Sequence, residues 1–267
     1  RNNLKKMLEK YGGNYDGNDD TIYQKYEEYV PDKKQNESSF GIDNIEDGFF
    51  VGIKLYPPLG FDPWPDESDE TWEFKKVNYL YQFCCWKGIP ITVHCGGIGF
   101  QVINNDLDEK YTNPDKQWRK VLKHYPNLKI NFAHMGLRRN YTPTIFEFMK
   151  RYANIYTDFS GMALSRKSYK KIISTINAEN FSDEQRSRIL FGTDFMINLL
   201  WIDSLKDYLE EFFKSDLPEK NSYCSTNPEK FLFGRNNKTE KCNPFPIDEN
   251  GEENTLCSQY HCEKYPG

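Results

Sequence analysis

Two histidines and an aspartate stand at matched places in a repeated pattern. His94 closes the run Pro90-Ile91-Thr92-Val93, His134 closes Leu128-Lys129-Ile130-Asn131-Phe132-Ala133, and Asp194 follows Arg188-Ile189-Leu190-Phe191-Gly192-Thr193. Each run is short, mostly apolar and rich in β-branched or aromatic residues, the composition of a buried strand. Imidazole and carboxylate together suit Zn²⁺, Mn²⁺ or Fe²⁺, and a catalytic site needs a few such ligands plus an open position for water. Singly, each residue has a plainer reading: a strand-end histidine is usually a hydrogen-bonded core residue, and an aspartate after Gly-Thr is often a helix N-cap. Three of them at equivalent places in one repeat favour a coordinated divalent metal, with Zn first.

An earlier run, Val51 to Pro58, fits the same series with Lys54 near its end. Lys54, His94 and His134 recur every 40 residues, Asp194 follows 60 later, and Asn154-Ile155-Tyr156-Thr157-Asp158-Phe159 fills the gap. That spacing is a βα repeat. Lys54 could snorkel, could bind an anionic substrate, or could be desolvated enough to react with CO₂ and become a carbamate that bridges two cations.

The elements that must position these groups follow from the pattern. Short helices are predicted over 4–10 and 20–29, longer ones over about 70–87, 115–124, 144–152, 168–176 and 201–213, and a last short one from Asn227 to Leu232. Strands alternating with helices specify parallel pairing with right-handed crossovers, and near-continuous apolar strands mean that both sheet faces are covered. Polar residues at the ends of five successive strands favour an α/β TIM (β/α)₈ barrel, because closure brings those ends around one mouth. An open doubly wound sheet is the alternative. Three segments are expected: a helical or irregular N-terminal segment (1–48), a β/α portion (49–235) and a polar, cysteine-containing tail (236–267).

Composition narrows the function. The chain has 267 residues with 35 Lys and Arg against 40 Asp and Glu, a formal net charge of −5 with both signs mixed along it. Neither a nucleic-acid footprint nor a polybasic membrane patch is expected. No run approaches the roughly 18 apolar residues of a membrane span, and no apolar h-region follows Arg1 to Lys6. A cytoplasmic protein acting on a small molecule is the default expectation. Of the seven cysteines, Cys84, Cys85 and Cys95 lie in apolar context and read as small buried hydrophobes. Cys224, Cys242, Cys257 and Cys262 lie in polar sequence, where disulfides would imply an oxidising compartment and secretion.

In combination, Gly52-Ile53-Lys54-Leu55-Tyr56-Pro57-Pro58-Leu59-Gly60, Gly88 to Gly96, Pro126 to His134, Phe191-Gly192-Thr193-Asp194 and the Asn227 to Leu232 helix resemble the amidohydrolase superfamily, and within it the branch of amidohydrolase-related proteins that includes decarboxylases and lactonases. The resemblance runs from about Phe49 to Leu232. It implies a barrel with His94 on the fifth strand, His134 on the sixth and Asp194 on the eighth, so that the β/α portion supplies strands four to eight. It implies His94 as metal ligand, His134 as ligand or electrostatic group, Asp194 as ligand and proton shuttle, and Lys54 at the place where some members carry a carboxylated lysine. The implied chemistry is hydrolysis of an amide, lactone or ester of a small substrate by metal-activated water, or decarboxylation of a small unsaturated or aromatic acid. Arg138, just after the His134 strand, could hold a substrate carboxylate, and Tyr56, Trp64 and Ser160 are expected to shape the pocket.

One departure stands out. The family's first strand carries a His-x-His pair, and the four histidines here are His94, His124, His134 and His261. Only 48 residues precede Phe49, where three βα units would need on the order of 100. The expectation is a fragment or an omitted segment, or missing strands supplied by another chain or within a homo-oligomer. A non-catalytic barrel or binding protein that has lost the pair is the contrasting reading.

Overall fold

The computed structural model describes residues 50–65, 72–96, 100–136, 140–161, 166–200 and 202–234. The N-terminal segment and the C-terminal tail, with their predicted helices and Cys242, Cys257, Cys262 and His261, lie outside the described residues. Five short strands form one parallel sheet: β1 (Ile53–Leu55), β2 (Ile91–Val93), β3 (Ile130–Phe132), β4 (Ile155–Asp158) and β5 (Ile189–Leu190). Their spatial order is their chain order. Each crossover returns the chain to the same end of the sheet, as parallel pairing of neighbours requires.

Nine α-helices occur among the described residues: α1 (Trp72–Lys87), α2 (Asn105–Thr112), α3 (Arg119–His124), α4 (Thr142–Arg151), α5 (Arg166–Asn177), α6 (Asp183–Arg186), α7 (Phe195–Asn198), α8 (Leu205–Lys214) and α9 (Asn227–Phe233). Helices α1, α3, α4, α5, α8 and α9 overlap the segments whose apolar spacing predicted them. Helices α2, α6 and α7 are additional. Polar sequence hides α2, whose start is fixed locally when the Asn104 side chain accepts from the Leu107 N–H at 2.9 Å. Among the described residues, no helix is long and apolar enough to cross a membrane.

The strand register sorts the side chains onto two faces. Ile53, Ile91, Ile130 and Ile155 align in one row, and Leu55, Val93, Phe132, Thr157 and Ile189 in another. With a side-chain period of two, these rows share one face. Their apolar members belong to a single core with Trp118, Phe146, Phe148, Tyr169, Ile172 and Phe212 from the covering elements. Trp118 is wholly buried, stands edge-on to Phe132 at 5.7 Å, and gives its indole N–H to the Tyr111 carbonyl.

The opposite face is polar. Lys54, Thr92, Asn131 and Tyr156 form its first row, and Asp158 pairs with Leu190 in the next. Its apolar members form a small separate cluster, in which Phe231 of α9 packs on Tyr156 and Leu190. The chemistry-bearing residues therefore sit on the face that the main core does not use.

The outer edge of β5 is sealed. The Phe191 N–H donates to the Tyr223 carbonyl at 2.8 Å, and the Asn227 carboxamide donates to the Ile189 carbonyl at 2.9 Å. These two groups take the place that a neighbouring strand would fill. Near the start of β3, Lys129 is almost fully buried with its ammonium donating to the Gly234 carbonyl at 2.6 Å, and burial draws its pKa down to about 8.

Candidate active site

His94, His134 and Asp194 come together above the ends of β2, β3 and β5. His134 Nε2 lies 3.3 Å from His94 Nδ1 and 3.9 Å from Asp194 Oδ2. The His94 ring is stacked on Tyr56, with centroids 4.3 Å apart and planes at 20°. His94 and His134 are buried, whereas the Asp194 side chain keeps about a third of its surface (34 %) open to solvent.

Backbone geometry brings the three inward. His134 and Met135 both have left-handed conformations (φ 65° and 50°), as does Asp194 (φ 46°). Such conformations are uncommon for residues with a Cβ and persist where the surroundings impose them. Asp194 occupies the N-cap position of α7, but its side chain makes no capping hydrogen bond. The carboxylate points to His134 instead, so the capping role that the sequence also allowed is not the one adopted.

Small residues make the convergence possible. A Cβ on Gly161 would lie 3.1 Å from Asp194 Oδ2, and one on Gly96 would lie 3.1 Å from His134 Cδ2. Either side chain would crowd the space between the three groups.

The tautomer of His134 follows from its neighbours. Its Nδ1 faces the Ser160 carbonyl at 2.8 Å and the Ser160 hydroxyl oxygen at 3.1 Å. A carbonyl can only accept, so the proton belongs on Nδ1, and Nε2 turns a lone pair toward His94 and Asp194. Behind this arrangement lies Asp158, which the sequence placed at a strand end without giving it a role. Its buried carboxylate accepts from the His134 and Ser160 N–H groups, the Ser160 hydroxyl and the Asn131 carboxamide. Burial alone would push the Asp158 carboxyl up; the neighbouring His134 imidazole and these hydrogen bonds outweigh it and hold the group below its ordinary value. The signal that could have found it is its register, since Asp158 stands in the row that His94 continues.

Lys54 lies on the same face. Its side chain reaches solvent, yet the protein atoms around it desolvate the ammonium and lower its pKa against the opposing pull of Asp158 and Asp194. Tyr56 is half-buried, and burial raises its phenol; its hydroxyl accepts from the Phe100 N–H at 3.2 Å.

Two pocket residues expected from the sequence are elsewhere or otherwise engaged. Trp64 is 4 % exposed and packs among Phe74, His124 and Tyr125 in the core. An Asx turn, with the Trp64 N–H on Asp62 Oδ1, rolls the indole inward, and Gln117 holds the Trp64 carbonyl. Ser160 is at the site, but its hydroxyl is committed to Asp158 and His134. Arg138 lies outside the described residues. Cys224 is an exposed thiol, and Cys84 and Cys95 are buried.

Two ligand nitrogens about 2.0–2.1 Å from a tetrahedral Zn²⁺ are about 3.3–3.4 Å apart. The separation of His94 Nδ1 and His134 Nε2 fits that spacing. Asp194 stands farther off, and among the described residues no group of three or more His, Cys, Asp or Glu side chains is arranged to hold a metal ion. The pair of imidazoles fits a cation as part of a ligand set.

A family model described as Amidohydrolase matches residues 39–234. No curated protein matches the chain. Among solved structures, the chain is similar to a dihydroorotase from Campylobacter jejuni, at 18% identity and a TM-score of 0.39, over 68% of this chain and 58% of that one. The chain thus spans less than two thirds of the length of that protein.

Proposed function

The chain belongs to the amidohydrolase family, and from that premise we propose that it hydrolyses an amide, lactone or ester bond of a small substrate at a centre formed by His94, His134 and Asp194. The observation that carries this reading is the convergence of the three side chains from three strand ends onto one point, with His134 Nε2 within 3.9 Å of both partners. The five parallel strands are read as strands four to eight of a (β/α)₈ barrel, supported by their sequential order and by the polar face they share. Residues 1–48 and 236–267 are read as flanking segments.

His94 and His134 would hold a divalent cation, Zn²⁺ before Mn²⁺ or Fe²⁺. Such a cation, when bound, acidifies water and polarises a carbonyl. With its proton on Nδ1, His134 offers a lone pair at Nε2, which favours a ligand role over donation to an oxyanion. Asp194, still open to solvent, takes a proton from the attacking water and returns it to the leaving group. Lys54 balances the charges of Asp158 and Asp194 as an ammonium; as a carbamate, it would offer oxygens for a second cation. Tyr56 holds the His94 ring in place. Arg138 is the group proposed to bind a substrate carboxylate.

Metal content of the purified chain, compared with that of His94→Ala, tests the reading when it is paired with a panel of amides, lactones and esters. A divalent cation present in the wild type and lost in the variant, together with hydrolysis of a panel member, is expected. Absence of both after reconstitution with Zn²⁺, Mn²⁺ and Fe²⁺ overturns it, and release of CO₂ from a carboxylic acid without hydrolysis assigns a decarboxylase instead.

A further inference from the structure

Asp158 takes no part in the proposed hydrolysis, yet it organises the residue beside the reacting centre. It is 5 % exposed. Oδ1 accepts from the His134 N–H at 3.0 Å, the Ser160 N–H at 2.9 Å and the Ser160 hydroxyl at 2.5 Å, and Oδ2 accepts from Asn131 Nδ2 at 2.6 Å. The first of these bonds anchors the left-handed turn at His134 and Met135 from one side. Thr142 anchors it from the other, giving its hydroxyl to the Met135 carbonyl at 2.7 Å.

The hydroxyl bond acts on the ring. Because the Ser160 proton is directed to Asp158, the oxygen that faces His134 Nδ1 presents a lone pair, as the Ser160 carbonyl does. Both neighbours of Nδ1 are then acceptors. We propose that Asp158 is a positioning residue for His134, fixing the turn through the His134 N–H and the ring tautomer through Ser160, so that Nε2 offers its lone pair to the space shared with His94 and Asp194. The consequence for cation binding rests on the hydrolase reading; the tautomer itself does not.

The site is also built to tolerate a neutral replacement. The Asn131 amide oxygen is buried without a hydrogen-bond partner. A flip of that amide would meet the NH₂ of an asparagine at 158 with an acceptor, while the asparagine oxygen keeps the other three bonds. Geometry, not charge, is then the quantity that Asp158 supplies.

The test is ¹⁵N NMR of histidine-labelled chain, with its four histidines, for wild type, Asp158→Asn, Asp158→Ala, Asp158→Leu and Ser160→Ala, each checked for folding by circular dichroism and titrated with Zn²⁺. In wild type and Asp158→Asn, His134 is expected as a single Nδ1–H tautomer with equal Zn²⁺ affinity. In Asp158→Ala, mixed tautomers and a 10–100-fold weaker affinity are expected, the usual loss on removing a group that orients a ligand. If Asp158→Ala does not fold, Asp158→Leu, which restores the side-chain volume without an acceptor, carries the test with the same mixture expected. Ser160→Ala keeps the carbonyl and has no hydroxyl left to donate, so it is expected to retain the Nδ1–H tautomer. An Nε2–H tautomer in wild type, a wild-type tautomer in folded Asp158→Ala or Asp158→Leu, or mixed tautomers in Ser160→Ala, overturns the proposal. If wild type binds no Zn²⁺, the metal part of the hydrolase reading fails while the tautomer comparison still decides the role of Asp158.

Discussion

His134 Nε2 stands 3.3 Å from His94 Nδ1, although the two residues end different strands. Strand pairing alone does not account for this. Thr92 pairs with Asn131, so His94 lies two residues beyond that pair and His134 three. The left-handed turn at His134 compensates for the odd residue by swinging the ring back over the end of β3. The two nitrogens then form one unit, through a shared proton or a shared cation.

A shared unit predicts non-additive loss. His94→Ala and His134→Ala should each weaken Zn²⁺ binding by roughly a hundredfold or more, and the double variant should be little worse than either single one. Calorimetric titration of the three variants checks this. Additive losses would mean that the two rings act separately.

Gly161 should not accept a side chain. Its backbone is left-handed (φ 67°), and an added Cβ would meet Asp194 Oδ2 at 3.1 Å and His134 Nδ1 at 3.7 Å. Gly161→Ala should cost about 1 kcal/mol of stability or somewhat more through the backbone. It should also lower kcat by about tenfold with KM nearly unchanged, because the carboxylate moves and the substrate pocket does not. Urea unfolding and steady-state kinetics measure the two effects, and a variant with wild-type kcat would remove Asp194 from the reacting centre.

Lys129 gives a pH-dependent prediction remote from the site. Burial lowers its pKa to about 8 in the folded chain, against 10.5 for the free side chain. Between these values the unfolded chain binds more protons, so this lysine makes stability rise with pH from about 8 to about 10.5, and below pH 8 its full cost is present. Lys129→Met should be more stable than wild type at pH 7, by up to about 3 kcal/mol, and the difference should shrink as pH approaches 10. Urea midpoints at several pH values test it; a difference that does not change with pH would contradict the burial argument.

Tyr56 should act through its ring. Tyr56→Phe keeps the stack on His94 and loses one acceptor for the Phe100 N–H, so Zn²⁺ affinity should stay near wild type. Tyr56→Ala removes a stack worth about 0.5–1.5 kcal/mol and should weaken binding about two- to tenfold. Equal affinity in all three proteins would show that the stack does not order His94.

The fold elements most legible in the sequence were those driven by apolar burial. The isoleucine row at 53, 91, 130 and 155 announces buried parallel strands, and the residue that ends each run falls at the rim for geometric reasons. His94, His134 and Asp194 were visible on that basis. Asp158 was visible as a position but not as a function, because its importance lies in the donors around it, which come from β3, from the turn that follows it and from Ser160 two residues on. Trp64 was misplaced since a Gly- and Pro-rich loop reads as a rim, while an Asx turn can roll an indole of large apolar area into the core. Helix α2 was missed because its polar sequence, Asn105 to Thr112, lacks the apolar stripe from which a helix is read. The N-terminal and C-terminal segments were drawn from composition, and nothing among the described residues bears on them.

The seal on β5 has a consequence for synthesis on the ribosome. Because the strands lie in chain order, each can dock on its predecessor as it emerges, and the growing sheet always ends in one fresh edge. For β5 that edge is covered by Tyr223 and Asn227, which leave the exit tunnel some 33 residues after Leu190. At about 5–20 residues per second, the nascent chain carries an open templating edge for roughly two to seven seconds. A pause of translation while residues 191–222 are leaving the tunnel would prolong that interval, and the yield of soluble protein should fall with the length of the pause.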